Sequence, residues 1–425
     1  MYSVRRIPVG WSICGFPERR ACWEGLQASR KELDVRVFSI WIAIMSVACT
    51  AAVPAQELIL TNPLGVDRTQ EVIEVPLDPI LHRLHLPLSQ AESIVAEDAV
   101  TGQRVPDQLC AAGENSAPAC LLLLVQLPAH GRQRIVFRAD PAAARAGVLV
   151  FGREAPERKD DFAWENQQVA YRIYGPALQA TGEITSGIDV WSKRVPNFVI
   201  DNFYKRDADG ARTHDPALSY HKDNGQGLDS YYVGPSRGCG GTAVFSGGKL
   251  IVSKNYTTLR IVDNGPIRFS FEVFYAPWDA NGVAVSETKR ITLDAGTHLN
   301  KIVSTYTFQG AATLDLAAAI AIHEGAEAKF PVPGSIASVW DTPQDPSAGR
   351  IATGMVSDPR QHARTLETAG HAVMVFTRRS GEPFTYFAGS GWSKADMPAF
   401  TDWNRYLQLQ LNLLKNPVSL RWRQK

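Results

Sequence analysis

Two alternating apolar segments around an Asn-Gly turn constrain the fold of this chain more than any other feature. Residues 258–262 and 267–275 alternate apolar and polar side chains, and Asp-Asn-Gly-Pro lies between them at 263–266. Such alternation is typical of a β-strand with one buried face, and an Asn-Gly turn between two such runs predicts a hairpin. A second pair follows at 289–294 and 301–308. The sequence therefore predicts an antiparallel meander with long strands.

Further strand patterns extend over most of the chain, from residue 57 to about 140 and again in the C-terminal half. The later candidates are 314–322, 335–340, 350–356, 371–377 and 384–389. Only residues 402–414 are predicted to be helical, because their large apolar side chains share one stripe and Asn416-Pro417 follows. We therefore expect a mainly β fold, a large antiparallel β-sandwich with one C-terminal helix.

The length of 425 residues exceeds what one hydrophobic core usually organises. Gly152, Pro156 and the charged run at 158–161 mark a change in composition. We place a domain boundary there, so that 56–155 form a smaller N-terminal β-domain and 156–425 form the sandwich domain.

The first 55 residues carry the pattern of a leader and signal peptide. Lys31 and Arg36 precede an apolar run at 37–48, and the small residues at 53–55 predict cleavage before Gln56. The run is too short for a stable membrane span. We expect a periplasmic or secreted bacterial protein.

Export explains the cysteines that remain after the leader. Cys110 and Cys120 lie ten positions apart around a Gly/Asn/Ser/Pro-containing loop, which is compatible with a disulfide in an oxidising compartment. Cys239 stands alone in a Gly-rich stretch. We interpret it as a small buried residue, since no general base is recognisable beside it.

The charge balance argues against a nucleic-acid partner, because 44 Lys and Arg face 43 Asp and Glu and the net charge is only +1. No phosphate loop, dinucleotide fingerprint, paired-cysteine site or His-Glu-x-x-His motif occurs in the sequence. We accordingly predict no cofactor and no metal.

The densest polar stretch runs from 220 to 241 and combines many glycines with acids, bases and aromatic residues. His221 and Asp223 are candidates for proton transfer, with Asp229 assisting or orienting them. Arg237 could bind a substrate carboxylate, and Tyr231 could stack on a sugar ring. The alternative is a structured loop whose polar groups satisfy its own backbone.

A second cluster lies at 186–194. If 188–194 is a strand, Asp189, Trp191 and Lys193 share one face, where the indole could floor a sugar subsite beside a carboxylate and an ammonium. A polar, solvent-facing surface explains the pattern equally well.

The third cluster, at 389–396, is a Gly-flanked turn that carries Trp392 and Lys394. These residues could bind a sugar ring and its carboxylate. The alternative is a helix entry with Trp392 as a packing anchor. His323 and Glu324 form a further candidate acid/base pair, against which stands a hydrogen-bonded core histidine.

Together these segments resemble a bacterial family known as domain of unknown function 4861. The resemblance rests on Asn62-Pro63 with Arg68, residues 74–77, 171–176, 187–194, 220–241 and 391–394. It implies a secreted or periplasmic protein encoded among polysaccharide-degradation genes, often related to pectin or uronate, and it brings no catalytic residues. The meander also looks like the galactose-mutarotase type of super-sandwich, an analogy of fold that does not settle activity.

We therefore predict an exported carbohydrate-active enzyme that cleaves uronic-acid-containing, pectin-type oligosaccharides by hydrolysis or β-elimination. Its partner is an oligosaccharide or polysaccharide substrate. Three alternatives remain open: a noncatalytic carbohydrate-binding protein, a sugar epimerase or mutarotase, and a purely structural envelope protein.

Overall fold

The computed structural model describes residues 57–111, 116–143, 147–343 and 345–423. The predicted leader and signal peptide lie outside the described residues. No helix in the described ranges has the length and apolar character needed to cross a membrane.

A two-sheet sandwich forms the centre of the fold. In the described chain its larger sheet has nine strands, in the order Thr258–Asn264, Arg268–Phe274, Ala284–Asp294, Leu299–Phe308, Phe384–Trp392, Ile351–Val356, Ile336–Asp341 and Glu327–Val332, with Trp278–Asp279 beside Ala284–Asp294. The smaller sheet has the order Lys249–Ile251, Cys239–Ser246, Leu314–Ala321, His371–Arg378 and Arg364–Thr368. Side chains from both sheets, including Phe271, Tyr306 and Phe376, share one hydrophobic core. The predicted mainly β, antiparallel sandwich is confirmed.

Two further sheets are built mainly from the N-terminal part of the chain, and one of them also takes in a C-terminal strand. One has the order Ser419–Trp422, Glu57–Thr61, Arg132–Ala139, Ile94–Asp98 and Arg104–Val105, and the other has the order Arg68–Pro76, Pro118–Leu127 and Asp107–Ala111. They enclose a second core that includes Leu58, Ile80 and Leu123. Cys110 and Cys120 face each other in the second sheet and form a disulfide. The domain boundary near residue 155 stays a prediction.

The sheet that positions the candidate site is named here the site sheet. Its strands are Gly227–Leu228, Asp189–Lys193, Val169–Ile173, Asp161–Asn166 and Val150–Ala155. One face contributes Trp164 and Tyr171 to the sandwich core, and the other packs Trp191 against a helix. Its central strands are therefore buried on both faces.

Four α-helices occur in the described residues: α1 (Leu77–Leu84), α2 (Pro176–Gln179), α3 (Ile200–Thr213) and α4 (Phe400–Lys415). Short 3-10 helices span Leu88–Ser93, Pro156–Arg158, Pro216–Leu218, Pro346–Ala348 and Pro359–Gln361. The C-terminal helix is confirmed by α4. Helix α3 was not expected, because its large buried side chains, Ile200, Phe203 and Tyr204, fall in its first turns and give no long apolar stripe.

Candidate active site

A buried arginine at the centre of the site sheet joins three carboxylates. Arg172 lies opposite Asp189 in the pairing of Val169–Ile173 with Asp189–Lys193. Its Nη2 donates to Oδ2 of Asp189 at 2.5 Å and to Oδ2 of Asp229 at 2.9 Å. Its Nη1 lies 3.5 Å from Oδ2 of Asp161. We call these four residues the carboxylate cluster.

Aromatic rings surround the guanidinium of Arg172. Its central carbon lies 5.0 Å from the ring centroid of Tyr174, 5.3 Å from that of Trp191 and 5.6 Å from that of Tyr220. The Tyr174 hydroxyl also donates to Asp189 at 2.9 Å. These ring contacts add to the ion pairs in stabilising a charge removed from water.

The carboxylate cluster holds more acids than one guanidinium neutralises. Burial raises the pKa of Asp161 to about 7, and the negative charge of Asp189 adds to the effect. Burial raises the pKa of Asp229 well above its usual range, again with a contribution from Asp189. Two like charges so close do not both ionise readily, so the cluster retains a proton near neutral pH. Buried acids with raised pKa values concentrate at functional sites.

His221 lies at the solvent edge of the cluster, and its side chain is 51% exposed. Its Nδ1 is 2.9 Å from the carbonyl oxygen of Asp229 and 3.6 Å from Oδ2 of the same residue. A carbonyl oxygen only accepts hydrogen bonds, so Nδ1 carries the hydrogen and Nε2 of the neutral ring keeps a lone pair. The sequence-predicted residues His221, Asp229 and Asp189 are thus brought together.

Trp191 and Lys193 take packing roles instead of the predicted ligand-binding ones. Trp191 is fully buried and its ring stacks on Phe203 at a centroid distance of 5.6 Å. The Nζ of Lys193 donates to Glu165 at 2.6 Å and to the Asn166 carbonyl at 2.7 Å, with both charged side chains buried. Burial lowers the pKa of Lys193. Neither side chain has a surface that a sugar could contact.

Tyr231 and Arg237 are also buried. The Arg237 guanidinium donates to Ser186 Oγ at 3.0 Å and to the Thr242 carbonyl at 3.3 Å, and burial lowers its pKa to about 10. The neighbouring Tyr232 is 52% exposed. Of the two adjacent tyrosines, the predicted Tyr231 is buried, and Tyr232 is the one whose ring a sugar could contact.

The rim brings the three predicted segments together at Arg194, a residue that sequence reasoning left out of the site. Arg194 forms an ion pair with Asp223, and its guanidinium lies 4.4 Å from the ring centroid of Trp392. Trp392 is buried and donates from Nε1 to the Ala348 carbonyl at 2.7 Å. The exposed Lys394 donates to the Ser347 carbonyl at 2.6 Å. Arg194 thus covers the Trp392 ring that was predicted to stack on sugar.

His323 pairs with Asp341 and not with its exposed sequence neighbour Glu324. Its Nδ1 lies 2.6 Å from Asp341 Oδ2, and its Nε2 lies 2.8 Å from the Tyr232 carbonyl oxygen. Both ring nitrogens are thus engaged as donors. In the described ranges, no group of three or more His, Cys, Asp or Glu residues is arranged to hold a metal ion.

These features define a β-rich protein with a buried, proton-retaining carboxylate cluster and a histidine at its solvent edge. The chain belongs to the family described as domain of unknown function DUF4861, whose model matches residues 60–420. It is 28% identical over 402 residues to "Uncharacterized protein P7" of Formosa agariphila, and the match covers 91% of this chain and 98% of that protein.

Similarity to solved structures is low. An α-mannosidase from Enterococcus faecalis V583 matches 87% of this chain with a TM-score of 0.44 and 10% identity. The α-galactosidase AgaB from Geobacillus stearothermophilus matches 57% with a TM-score of 0.29 and 11% identity. The chain spans 46% and 41% of their respective lengths. At these TM-scores the likeness establishes neither a shared fold nor a shared activity.

Proposed function

We propose that this protein is an exported enzyme that cleaves uronic-acid-containing oligosaccharides by β-elimination, with His221 as the general base. The observation that carries the proposal is the geometry of His221. Its Nδ1 is fixed against Asp229, and the half-exposed ring keeps the lone pair of Nε2 for a proton from a substrate.

The reaction follows from that lone pair. Nε2 takes the proton from C5 of the uronate, the C–H electron pair forms a C4–C5 double bond, and the C4–O bond breaks. The departing oxygen takes a proton from water. The Asp229 backbone carbonyl, 2.9 Å from Nδ1, accepts the hydrogen bond of the positive ring that forms.

Hydrolysis has less support from the same geometry. Glycoside hydrolysis uses two carboxyl groups that flank the scissile bond, about 5 to 9.5 Å apart according to the stereochemistry. Here the side chains of Asp161, Asp189 and Asp229 converge on the single buried guanidinium of Arg172. They are not arranged on two sides of an open cleft.

Cations at the rim favour an acidic substrate. Hydrogen bonds from Ser347 lower the pKa of Asp345, and the charges of Lys222 and Lys394 lower it further, so both ammonium groups lie near the same carboxylate. Lys222 directly follows His221. In this proposal the Lys222 ammonium pairs with the carboxylate of a uronate placed against His221, which makes its C5 proton easier to remove.

Export is part of the proposal. The Cys110–Cys120 disulfide supports it, because such bonds persist in oxidising compartments such as the periplasm.

The test is to incubate the purified chain with pectin, alginate, xylan and glycosaminoglycan oligosaccharides and to follow product mass and the absorbance of unsaturated uronate. We expect shortened products that absorb. Shortened products whose summed mass includes an added water would show that the reaction is hydrolysis and not β-elimination. Binding without any product would favour the carbohydrate-binding alternative, and sugar interconversion without a change of mass would favour the epimerase.

A further inference from the structure

Arg194 is held in a fixed orientation at the rim. It directly follows the strand Asp189–Lys193, and its backbone N–H donates to the Gln226 carbonyl at 3.0 Å. Its guanidinium lies over the Trp392 ring, with its central carbon 4.4 Å from the ring centroid, and the indole is itself held by the hydrogen bond from Nε1 to the Ala348 carbonyl. A guanidinium that contacts a ring through its face can still donate from its N–H groups to a carboxylate through two hydrogen bonds.

The guanidinium of Arg194 is paired with a carboxylate of the chain itself. Asp223 accepts from Arg194 Nη2, and its other oxygen accepts from the Gly225 N–H at 3.0 Å. The two side chains of the pair are 31% and 28% exposed, so a dissolved anion can reach them. Partly exposed ion pairs contribute little free energy and exchange partners readily.

Two other arginines near the site lack this freedom. Arg172 is buried among three carboxylates, and Arg237 is buried and hydrogen-bonded to Ser186 and Thr242. Only one residue, Lys222, lies between His221 and Asp223 along the chain, so the general base and the ion pair belong to one loop.

We propose that Arg194 binds the substrate carboxylate and that Asp223 is an internal stand-in for it, displaced when the acidic sugar binds. This inference rests on the function proposed above. The two roles of Asp223 predict opposite effects of its removal. If Asp223 competes with the substrate, its removal tightens substrate binding. If Asp223 transfers a proton, its removal slows turnover.

The experiment measures binding by calorimetry in the His221→Asn background, so that no turnover interferes. The probes are tetrasaccharides of polygalacturonate, alginate and a glycosaminoglycan, each compared with its methyl-esterified form. Asp223→Asn should tighten binding of an acidic probe about two- to fivefold, the range that release of a partly exposed ion pair allows. Arg194→Gln should weaken it at least about tenfold, with or without Asp223→Asn.

Asp315→Asn is the matched control. Asp315 forms another partly exposed pair, with Arg364 at 2.7 Å, and its loss changes the net charge equally. Asp315 lies near the start of the strand Leu314–Ala321. The other end of this strand approaches the site, where the Ala321 N–H donates to the Gly238 carbonyl. We expect this variant to leave the affinities unchanged.

Unchanged or weaker acidic binding in Asp223→Asn, an equal gain for the esters, or no binding of any acidic probe would overturn the inference. The two proposals fail separately. If the unsubstituted protein binds acidic probes through their carboxylates but cleaves none of them, the Arg194 binding site is supported and the proposed enzymatic activity is rejected. If the protein cleaves the substrate and Arg194→Gln leaves KM unchanged, the enzymatic activity is supported and the Arg194 binding site is rejected.

Discussion

The carboxylate of Asp229 lies 2.9 Å from the guanidinium of Arg172, and neither group is accessible to solvent to any useful degree. Removal of the cation would leave Asp161, Asp189 and Asp229 buried without their shared partner. Arg172→Met is therefore expected to lower the free energy of unfolding by about 3–5 kcal/mol.

Urea denaturation followed by circular dichroism measures this loss. Arg379→Met, at an exposed arginine, is the control and should change the free energy of unfolding by no more than about 0.5 kcal/mol. Equal effects of the two substitutions would contradict a central role for Arg172.

Replacement of His221 tests the general base. His221→Asn removes the lone pair of Nε2 and should lower kcat by about 100- to 10,000-fold with little change in KM. The matched control is His362→Asn, since His362 is exposed and lies outside the site segments. The assay is the rate of unsaturated-uronate formation on the substrate that the panel identifies. A full rate in His221→Asn would assign the proton transfer elsewhere.

Much of the fold was predictable because strand alternation is a local signal. The hairpin pairs Thr258 with Phe274 across the turn at 263–266, as the Asn-Gly pattern predicts. The roles of Trp191 and Lys193 were not predictable in the same way. Their strand is covered on its second face by α3, and a helix with so short an apolar stripe gives a weak sequence signal.

Only two of the four residues of the carboxylate cluster could be predicted from the sequence. Asp189 and Asp229 stand in segments that their own composition singles out, but Asp161 and Arg172 come from other strands and meet them only through sheet pairing. A signal was present nonetheless. Arg172 interrupts an otherwise apolar run, Val-Ala-Tyr-Arg-Ile, where a charge needs a buried partner.

The raised pKa of Asp161 predicts a pH dependence of stability. Because its folded pKa of about 7 exceeds the usual aspartate value of 3.8, the folded state retains a proton that the unfolded state has released between these pH values. The free energy of unfolding contributed by this group therefore falls as the pH rises from 4 to 7. Asp161→Asn, which cannot ionise, should remove this component.

Urea denaturation of both proteins between pH 4.5 and 8.5 checks this prediction. The difference between their unfolding free energies should depend on pH, with a slope that corresponds to the binding of up to about one proton. A difference that stays constant over this range would place the retained proton on another group of the cluster.

Two histidines with opposite hydrogen-bonding roles hold the loop that carries Tyr232. His323 donates to the Tyr232 carbonyl, and His371 Nε2 accepts from the Arg237 N–H at 3.1 Å. Burial acts to lower the pKa of His323, but the hydrogen bond and charge of Asp341 raise it overall. Burial lowers the pKa of His371, and the charges of Arg237 and His323 add to this.

The two bonds therefore weaken at opposite ends of the pH scale. The contribution of His323 is present below pH 6.5 and is lost as the pH rises through its raised pKa. The contribution of His371 is present above pH 6.5 and is lost as the pH falls through its lowered pKa. Amide hydrogen exchange in residues 231–238, corrected for its intrinsic pH dependence, should show greatest protection between the two values. His323→Gln should remove the alkaline loss, and a pH-independent protection pattern would contradict the scheme.

Lys193 gives a prediction about stability that is independent of function. Its buried ion pair with Glu165 also fixes the start of α3, since Glu165 accepts from the N–H groups of Val199 at 2.8 Å and Ile200 at 2.9 Å. Lys193→Met leaves the carboxylate buried without its cation and should cost about 3–5 kcal/mol of unfolding free energy. The exposed pair of Lys205 with Asp209 is the matched control, because it also joins a lysine to a carboxylate.

Lys205→Met should cost no more than about 1 kcal/mol, the usual limit for an exposed pair. Urea denaturation of both variants measures the difference. If Lys193 were instead a ligand-binding residue without a structural role, its variant would unfold at the same urea concentration as the Lys205 variant and lose only affinity for an acidic sugar. The burial of both members of the Lys193–Glu165 pair predicts the opposite order, with stability lost first and affinity affected only through the displaced start of α3.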